Sequence, residues 1–245
     1  MTETPANQPK LEIRIIPVTP LQQNTSMIWS TETREGVFVD PGGDIDKLMG
    51  AAEQFGVKIV AVWLTHGHMD HAGAAAAVAE LTGCPVIGPH EDDQWLLDEI
   101  ETQGAKYGIK DGRNVKPDRY LHDGDVLDLA GNKFGVVHTP GHTPGHVVIY
   151  SQEGGLAFVG DVLFRGSVGR TDFPRGNHQQ LIDSITGKLW PLGEQMRFVP
   201  GHGPLSTFGQ ERQDNPFVAD AVTGYRGTEK QAPDEVSQKL SKRWS

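Results

Sequence analysis

Four potential metal ligands occupy six consecutive residues of this 245-residue chain. The segment reads Leu64-Thr-His66-Gly-His68-Met-Asp70-His71, and the stretch before it, from Lys58 to Leu64, has the continuous apolar character of a strand covered on both faces. Imidazole and carboxylate groups are ligands that zinc and neighbouring first-row metals prefer. Because the end of a buried strand can direct such groups across a cleft, the segment predicts a metal site; the alternative is a solvated loop rich in His.

Three more His and Asp residues lie in turns next to predicted strands. They are His142 in Thr139-Pro-Gly-His-Thr-Pro-Gly145, Asp161 in Phe158-Val-Gly-Asp161, and His202 in Phe198-Val-Pro-Gly-His-Gly-Pro204. Each one alone is typical of an ordinary surface turn. Together with the first segment they give five His and two Asp, which is enough to hold two metal ions with open coordination positions.

The remaining pattern predicts strands and helices in alternation, followed by a β-rich stretch. Apolar alternation and short apolar runs predict strands at 11–15, 25–30, 36–39, 58–64, 85–87 and 197–199, with several short ones between 119 and 164. Helical spacing predicts helices at 45–55, 71–81, 92–102 and 179–190, with Asp44 capping the first and Gly56 ending it. This order favours an α/β (α+β) fold in which packed sheets carry helices on their outer faces.

We divide the chain into a flexible N-terminus at 1–10, one domain at 11–218 and a polar C-terminal tail at 219–245, because both ends lack apolar periodicity. Lys and Arg total 22 against 32 Asp and Glu, and the net charge of −10 argues against a nucleic-acid partner. The single Cys84 excludes an internal disulfide and favours a reducing compartment. Apolar runs of at most six residues predict no membrane segment, so we expect a cytoplasmic protein.

Over roughly Leu11 to Val218 the chain resembles the metallo-β-lactamase-fold hydrolases, and among them the hydroxyacylglutathione hydrolases, or glyoxalase II family. Two segments are similar to a small single-domain bacterial group called GloC or YcbL: Phe164-Arg-Gly-Ser-Val-Gly-Arg170-Thr-Asp-Phe-Pro-Arg175-Gly and Pro200-Gly-His202-Gly-Pro-Leu-Ser-Thr-Phe. The resemblance implies an αββα sandwich with the site at one edge of two packed sheets. It also implies hydrolysis of a glutathione thioester such as S-lactoylglutathione, and thereby methylglyoxal detoxification.

The resemblance further implies a ligand set for two divalent ions, with zinc expected first and iron or manganese as alternatives. One ion takes three His, the second takes an Asp and two His, and a further Asp bridges them. In this sequence these groups are His66, His68 and His142; Asp70, His71 and His202; and Asp161. Such ions supply a hydroxide at neutral pH, which Asp70 is expected to orient as the catalytic residue, and a thiolate leaves without a dedicated acid.

Residues around the site have two interpretations each. Asp40 either accepts a hydrogen bond from a ligand His or forms an Asx-type turn before Ile45. Arg170 and Arg175 either pair a substrate carboxylate or form an internal salt bridge, for example with Asp172. His146 either supports the site or supports its strand. Six others are expected to be ordinary polar or turn residues: His90, His122, His138, His178, Asp123 and Asp125.

Other activities stay open at this point. The segment Gly169-Arg-Thr-Asp-Phe173 also resembles persulfide dioxygenases of the same superfamily, which would bind one iron through His66, His142 and Asp161. Lactone or ester hydrolysis uses the same hydroxide chemistry, whereas a regulatory or RNA-processing member is disfavoured by the negative charge. The expected partner is therefore a small-molecule thioester linked to glutathione, with no nucleic acid and no membrane.

Overall fold

The computed structural model describes residues 10–110 and 112–226. The predicted flexible N-terminus, apart from Lys10, and the tail from 227 onwards lie outside the described residues. The division of the chain at 218 stays a prediction. Within the described ranges, no helix has the length and apolar character needed to cross a membrane.

Two mixed sheets form the body of the protein. The first has five strands in chain order: β1 (Leu11–Val18), β2 (Gln23–Ser30), β3 (Glu35–Val39), β4 (Lys58–Trp63) and β5 (Val86–Ile87). The second has six strands in the spatial order β13 (Ser206–Thr207), β12 (Arg197–Pro200), β9 (Leu156–Gly160), β8 (Val147–Ser151), β7 (Asn132–His138) and β6 (Val126–Leu129). The pairs β3–β4, β4–β5 and β9–β12 are parallel. A separate hairpin joins β10 (Leu163–Phe164) to β11 (Ser167–Val168).

Eight short α-helices accompany the sheets. They are α1 (Ile45–Phe55), α2 (Met69–Ala72), α3 (Ala75–Thr82), α4 (Gln94–Leu97), α5 (Ile100–Lys106), α6 (His178–Ser184), α7 (Phe208–Asp214) and α8 (Asp220–Thr223), counted over the described residues.

Both faces of the first sheet are buried, as the continuous apolar runs predict. On β2, Ile28 packs into the cluster between the sheets, while its neighbours Met27 and Trp29 pack into the outer cluster with α1 and α3. Between the sheets, Trp63 meets Phe134 edge-on with ring centroids 5.1 Å apart. A third cluster packs α6 against the outer face of the second sheet. The layers are thus helix, sheet, sheet, helix, which confirms the predicted sandwich.

Three predicted helices are interrupted in the structure. The helix expected at 71–81 is interrupted between Ala72 and Ala75, where Ala74 N donates to Pro41 O at 2.8 Å rather than to the preceding turn of the helix. Gly73 lies so close to the carbonyl oxygen of Gly42 that a side chain there would overlap it. The one expected at 92–102 becomes a 3-10 turn followed by α4 and α5, and the one expected at 179–190 continues beyond α6 as a π turn and a 3-10 turn.

The helix expected at 45–55 is confirmed in its bounds and in its end at Gly56, which adopts a left-handed conformation. The predicted cap is confirmed in position, because Asp44 is the N-cap residue, but its side chain makes no capping bond. Asp44 precedes α1, but its carboxylate accepts a hydrogen bond from Thr19 N at 2.9 Å rather than from the first turn of the helix.

Candidate metal centre

The seven predicted ligands come together where strands of both sheets end. Four of them follow β4 of the first sheet, and the other three lie after β7, β9 and β12 of the second sheet. Beside them the sheets are joined directly, because Val147 N donates to Thr65 O at 2.8 Å. The site is therefore built from two layers whose relative position is fixed by their packing.

Three imidazoles form the first half of the cluster. His66 Nε2 and His142 Nε2 each lie 3.0 Å from His68 Nδ1. A neutral imidazole carries one N–H. His142 uses its N–H elsewhere, since its Nδ1 donates to the carbonyl oxygen of Arg170 at 2.7 Å. The inward nitrogen of His142 therefore presents a lone pair to the centre of the cluster.

The same reasoning applies to His66. Thr65 Oγ1 gives its own proton to Asp40 Oδ2 at 2.6 Å, so it accepts from His66 Nδ1 at 3.1 Å. His66 Nε2 then also presents a lone pair. Three convergent ring nitrogens with at least two inward lone pairs make a donor set suited to a cation.

Two carboxylates and two imidazoles form the second half. His202 Nε2 lies 3.1 Å from Asp70 Oδ2, and His71 Nε2 lies 3.3 Å from Asp161 Oδ1. The other oxygen of Asp161 is 3.7 Å from both His142 Nε2 and His202 Nε2. Asp161 thus lies between the two halves, within reach of both.

Two buried atoms of this cluster lack hydrogen-bond partners: His71 Nε2 and Asp161 Oδ1. Although burial disfavours the charged ring, Asp161 and Asp70 raise the pKa of His71 well above its usual value. In the neutral form that a metal binds, Nδ1 donates to Asp40 Oδ2 at 2.9 Å and the lone pair of Nε2 faces the unpartnered oxygen. Leaving such atoms buried and unsatisfied is costly. A divalent cation between them satisfies both, so the residues fit the metal that the donor set indicates.

Burial and mutual proximity keep the first three imidazoles neutral. Burial and the nearby His142 lower the pKa of His68 to about 3, and burial with His71 lowers the pKa of His66 well below its usual value. Burial opposes ionisation of Asp161, yet His71 and its neighbours hold the pKa of that carboxyl far below its ordinary range. Neutral imidazole and ionised carboxylate are the forms that bind metals.

Close backbone approach at the cluster requires glycine at two positions. A Cβ at Gly201 would overlap Asp161 Oδ1 and the ring of His71, and a Cβ at Gly169 would overlap the carbonyl oxygen of Asp161. The Pro-Gly-His turn that carries His202 can therefore pass beside the carboxylate only without a side chain.

Asp40 contacts the cluster rather than the start of α1. Asp40 is 3% exposed, and its carboxylate accepts from Thr65 N at 2.7 Å, from Thr65 Oγ1 and from His71 Nδ1. His146 is fully buried, accepts from Asp161 N at 3.1 Å and stacks on the ring of His66 with centroids 4.8 Å apart. Both residues thus fix the orientation of groups in the cluster.

Asp93 is a site residue that the sequence reasoning missed. Its carboxylate is completely buried and accepts from Gly67 N at 3.0 Å, from Thr143 Oγ1 at 2.7 Å and from Gly145 N at 2.6 Å. It therefore joins the turn that carries His66 and His68 to the turn that carries His142. The available signal was a charged residue on the apolar face of the predicted helix at 92–102, in register with the buried Leu97 and Ile100.

A cleft of about 670 Å³ opens onto the cluster. Its lining is mainly apolar and aromatic and includes Trp95, Leu96, Tyr107, Phe164 and Phe173. Five of the seven predicted ligands line it: His68, Asp70, His142, Asp161 and His202. The arrangement can admit a small molecule with an apolar part and place it against the cluster.

The two candidate arginines differ in position. Arg170 lines the cleft but is already paired with Asp172, through two hydrogen bonds of 2.7 and 2.8 Å, and lies over the ring of Phe173. This is the internal salt bridge that the sequence left open. Arg175 lies over the ring of Trp95 at 4.9 Å from its centroid.

The sequence profile of the metallo-beta-lactamase superfamily matches residues 18–202 of the chain. Hydroxyacylglutathione hydrolase GloC of Haemophilus influenzae is 42% identical over 209 residues, which cover 85% of this chain and 98% of that protein. Among solved structures, the BLEG-1 B3 metallo-beta-lactamase superposes with a TM-score of 0.78 at 37% identity, covering 84% of this chain and 99% of that one. TTHA1623, solved in a di-iron-bound form, gives a TM-score of 0.75 at 38% identity, covering 84% and 100%.

The fold and the His/Asp cluster together define a metal-dependent hydrolase. The chain belongs to the metallo-beta-lactamase superfamily.

Proposed function

We propose that this enzyme hydrolyses a glutathione thioester of the S-lactoylglutathione type, giving glutathione and a hydroxy acid. The observation that carries the proposal is the convergence of seven His and Asp side chains beside a cleft sized for a small molecule. Similarity to the GloC protein of Haemophilus influenzae supports this substrate class. A role in methylglyoxal detoxification is part of the same proposal, as is a cytoplasmic location, which the single buried Cys84 supports.

In this proposal each half of the cluster holds one ion. The ligands are His66, His68 and His142 for one ion and Asp70, His71 and His202 for the other, with Asp161 shared. Zinc suits the mixed nitrogen and oxygen donors, and the di-iron form of TTHA1623 makes iron the next candidate. When bound, such ions lower the pKa of water to about 7 and polarise a carbonyl group.

The chain's own contribution is to hold, orient and accept protons. Asp70 lines the cleft with its Oδ2 3.1 Å from His202 Nε2, so its carboxylate can accept a hydrogen bond from the attacking oxygen and orient it. We therefore assign Asp70 as the catalytic carboxylate. A thiolate leaving group, whose conjugate thiol has a pKa of about 8.5, departs without a dedicated acid.

Substrate binding is proposed along the aromatic walls of the cleft. Arg170 lies at the rim, where its exposed guanidinium can exchange Asp172 for a carboxylate of the substrate in the same two-bond geometry. Arg175 is held over Trp95, and we propose that it supports that wall and contacts the polar end of the substrate. The partner is a small molecule, in keeping with the net charge of −10, which disfavours nucleic acid.

The test measures release of free thiol from S-lactoylglutathione by wild type, by Asp70→Asn and by Asp98→Asn, which changes an exposed carboxylate on the α4–α5 segment as a control. We expect Asp70→Asn to lower turnover by about 100-fold or more, since both a ligand charge and a proton acceptor are lost. The control should keep full activity. Unchanged turnover in Asp70→Asn would contradict the assigned role.

A persulfide dioxygenase is the second candidate, because the segment 169–173 that suggests it lies at the cleft, where Arg170 and Phe173 form part of the wall. That activity would need one iron and would leave Asp70, His71 and His202 without a metal. Metal content per chain and oxygen uptake with glutathione persulfide separate the two candidates. One iron per chain with rapid oxygen uptake would end the thioesterase proposal.

A further inference from the structure

Three histidines that the proposed function does not use lie together on the outer surface. His90 follows β5, His122 precedes β6 and His138 ends β7, so three separate segments bring them to one place. The ring of His90 stacks on that of His138, with centroids 4.4 Å apart and planes at 12°. It meets the ring of His122 at 73°, with centroids 5.0 Å apart. No local sequence pattern predicts this grouping, because the three residues are spread over 48 positions of the chain.

A carboxylate lies between two of these rings. Glu91 Oε2 is 2.9 Å from His122 Nε2 and 3.5 Å from His90 Nε2. Each of the three residues has a possible ligand atom within 4.8 Å of one on each of the other two. In a tetrahedral zinc site with bonds of 2.0–2.1 Å, neighbouring ligand atoms are about 3.3 Å apart. The two measured separations bracket that spacing. Small side-chain rotations therefore suffice to place the three atoms around one ion.

The opposite ring nitrogens of both histidines face carboxylates. His90 Nδ1 is 3.4 Å from Asp92 Oδ2, and His122 Nδ1 is 3.9 Å from Asp125 Oδ2. For His122, the carboxylate beside Nδ1 favours the tautomer with the proton on that nitrogen, which leaves Nε2 free to bind a metal. His90 Nδ1 instead accepts a hydrogen bond from Asp92 N at 3.2 Å, so binding an ion through Nε2 moves the ring proton to Nδ1, where Asp92 Oδ2 at 3.4 Å accepts it.

His138 supports this cluster without being a ligand. Its Nε2 donates to Pro144 O at 2.8 Å, and its ring lies nearly parallel to that of His90. Parallel imidazoles direct their lone pairs in parallel rather than onto one point, so sharing an ion between His90 and His138 would require one ring to turn out of the stack. Stacking against His138 instead limits the positions that the ring of His90 can adopt.

We propose that His90, Glu91 and His122 form an additional metal site, separate from both halves of the catalytic cluster, for zinc or a similar first-row divalent cation. The donor set of two imidazoles and one carboxylate matches the preferences of these ions. The side chains of Glu91 and His122 are 49% and 55% exposed, so an ion can enter from solvent and keep water in its remaining positions. No ligand is shared with the catalytic cluster.

The experiment counts zinc bound to the full-length protein. Wild type, His122→Gln and His178→Gln are each equilibrated with zinc by dialysis across a range of free concentrations, and bound metal is measured per chain. His178 is an exposed histidine at the start of α6 and serves as the matched control. We expect wild type and His178→Gln to bind one equivalent more than His122→Gln, or to bind the last equivalent at least 10-fold more tightly.

Equal stoichiometry and affinity in all three proteins would overturn the proposal. Because His122 is exposed, its replacement leaves the core intact, and thiol release by His122→Gln should equal that of wild type. A second variant, Glu91→Gln, removes the carboxylate and should lose the same equivalent of zinc. The outcome is independent of the proposed thioesterase activity, because the catalytic ligands are unchanged in every variant.

Discussion

Replacing Asp93 by Asn tests whether one buried carboxylate holds the metal-binding turns together. An Asn side chain offers one oxygen and one NH2 group in place of two oxygens. With its oxygen facing Gly145 N, the NH2 donates to Thr143 Oγ1, which can rotate to accept. Gly67 N, now 3.0 Å from the carboxylate, then loses its acceptor. The change thus removes one bond, the one from Gly67 N, which lies between His66 and His68.

Two opposing contributions decide the effect on stability. A buried N–H without an acceptor costs about 1–3 kcal/mol. Against this, burial raises the pKa of Asp93 from 3.8 to about 6, so its ionisation at pH 7 opposes folding by about 3 kcal/mol. The neutral amide removes that cost. We therefore expect the unfolding free energy to change by no more than about 2 kcal/mol, although the position of the ligand turn is loosened.

Metal affinity should change far more than stability. Loss of a group that orients metal ligands typically lowers affinity about 10–100-fold, and we expect a loss in that range for Asp93→Asn. The assay is competition with a chromophoric chelator at pH 7, beside thermal unfolding of the same samples and Asp98→Asn as the exposed control. Affinity within twofold of wild type would refute the reasoning, as would a loss of affinity that merely follows a loss of fold.

The raised pKa of Asp93 and the close approach of Gly201 to the cluster give two further predictions. The raised pKa means that Asp93 binds a proton more tightly in the folded than in the unfolded chain. The contribution of Asp93 to the free energy of unfolding is therefore most favourable below pH 4 and is lost as the pH rises through about 6. The difference in unfolding free energy between metal-free wild type and Asp93→Asn should rise by about 2 kcal/mol from pH 7 to pH 4 in urea titrations; a flat difference would contradict it. Gly201→Ala places a methyl group against Asp161 and His71 and should lower metal affinity at least 10-fold with circular dichroism unchanged. Gly187→Ala, which has open space around its Cβ, is its control, and equal affinities would show that the close approach is unimportant.

The sheets and the candidate ligands could be predicted because both depend on local signals. Buried strands such as β4 appear as apolar runs in the sequence. The change from apolar to polar residues marks where such a strand ends. The fold then brings the ends of β4, β9 and β12 together, and similarity to a known family implied which ends meet. Neither signal required knowledge of a distant contact.

The interruptions of helices could not be predicted, because their causes lie elsewhere in the chain. The break beside Gly73 depends on the carbonyl oxygen of Pro41, which accepts from Ala74 N, and the turn at Asp93 depends on N–H groups 26 and 52 residues away. Helical spacing is the same with or without these partners. Similarly, the pairing of Arg170 with Asp172 was one of two open readings, and only the positions of both side chains distinguish them.

The ligand cluster is positioned by buried polar side chains that are not themselves predicted ligands. Asp40 fixes Thr65 and His71, His146 fixes the backbone of Asp161, and Asp93 fixes both turns of the three-imidazole half. Each of these bonds joins segments far apart in sequence, and none of them occupies His71 Nε2 or the carboxylate oxygens of Asp161. Because buried networks of this kind hold one geometry strongly, removal of metal should leave the turns in place, and binding needs little rearrangement of the backbone. Folding of the chain, rather than metal binding, thus brings the seven ligand side chains together.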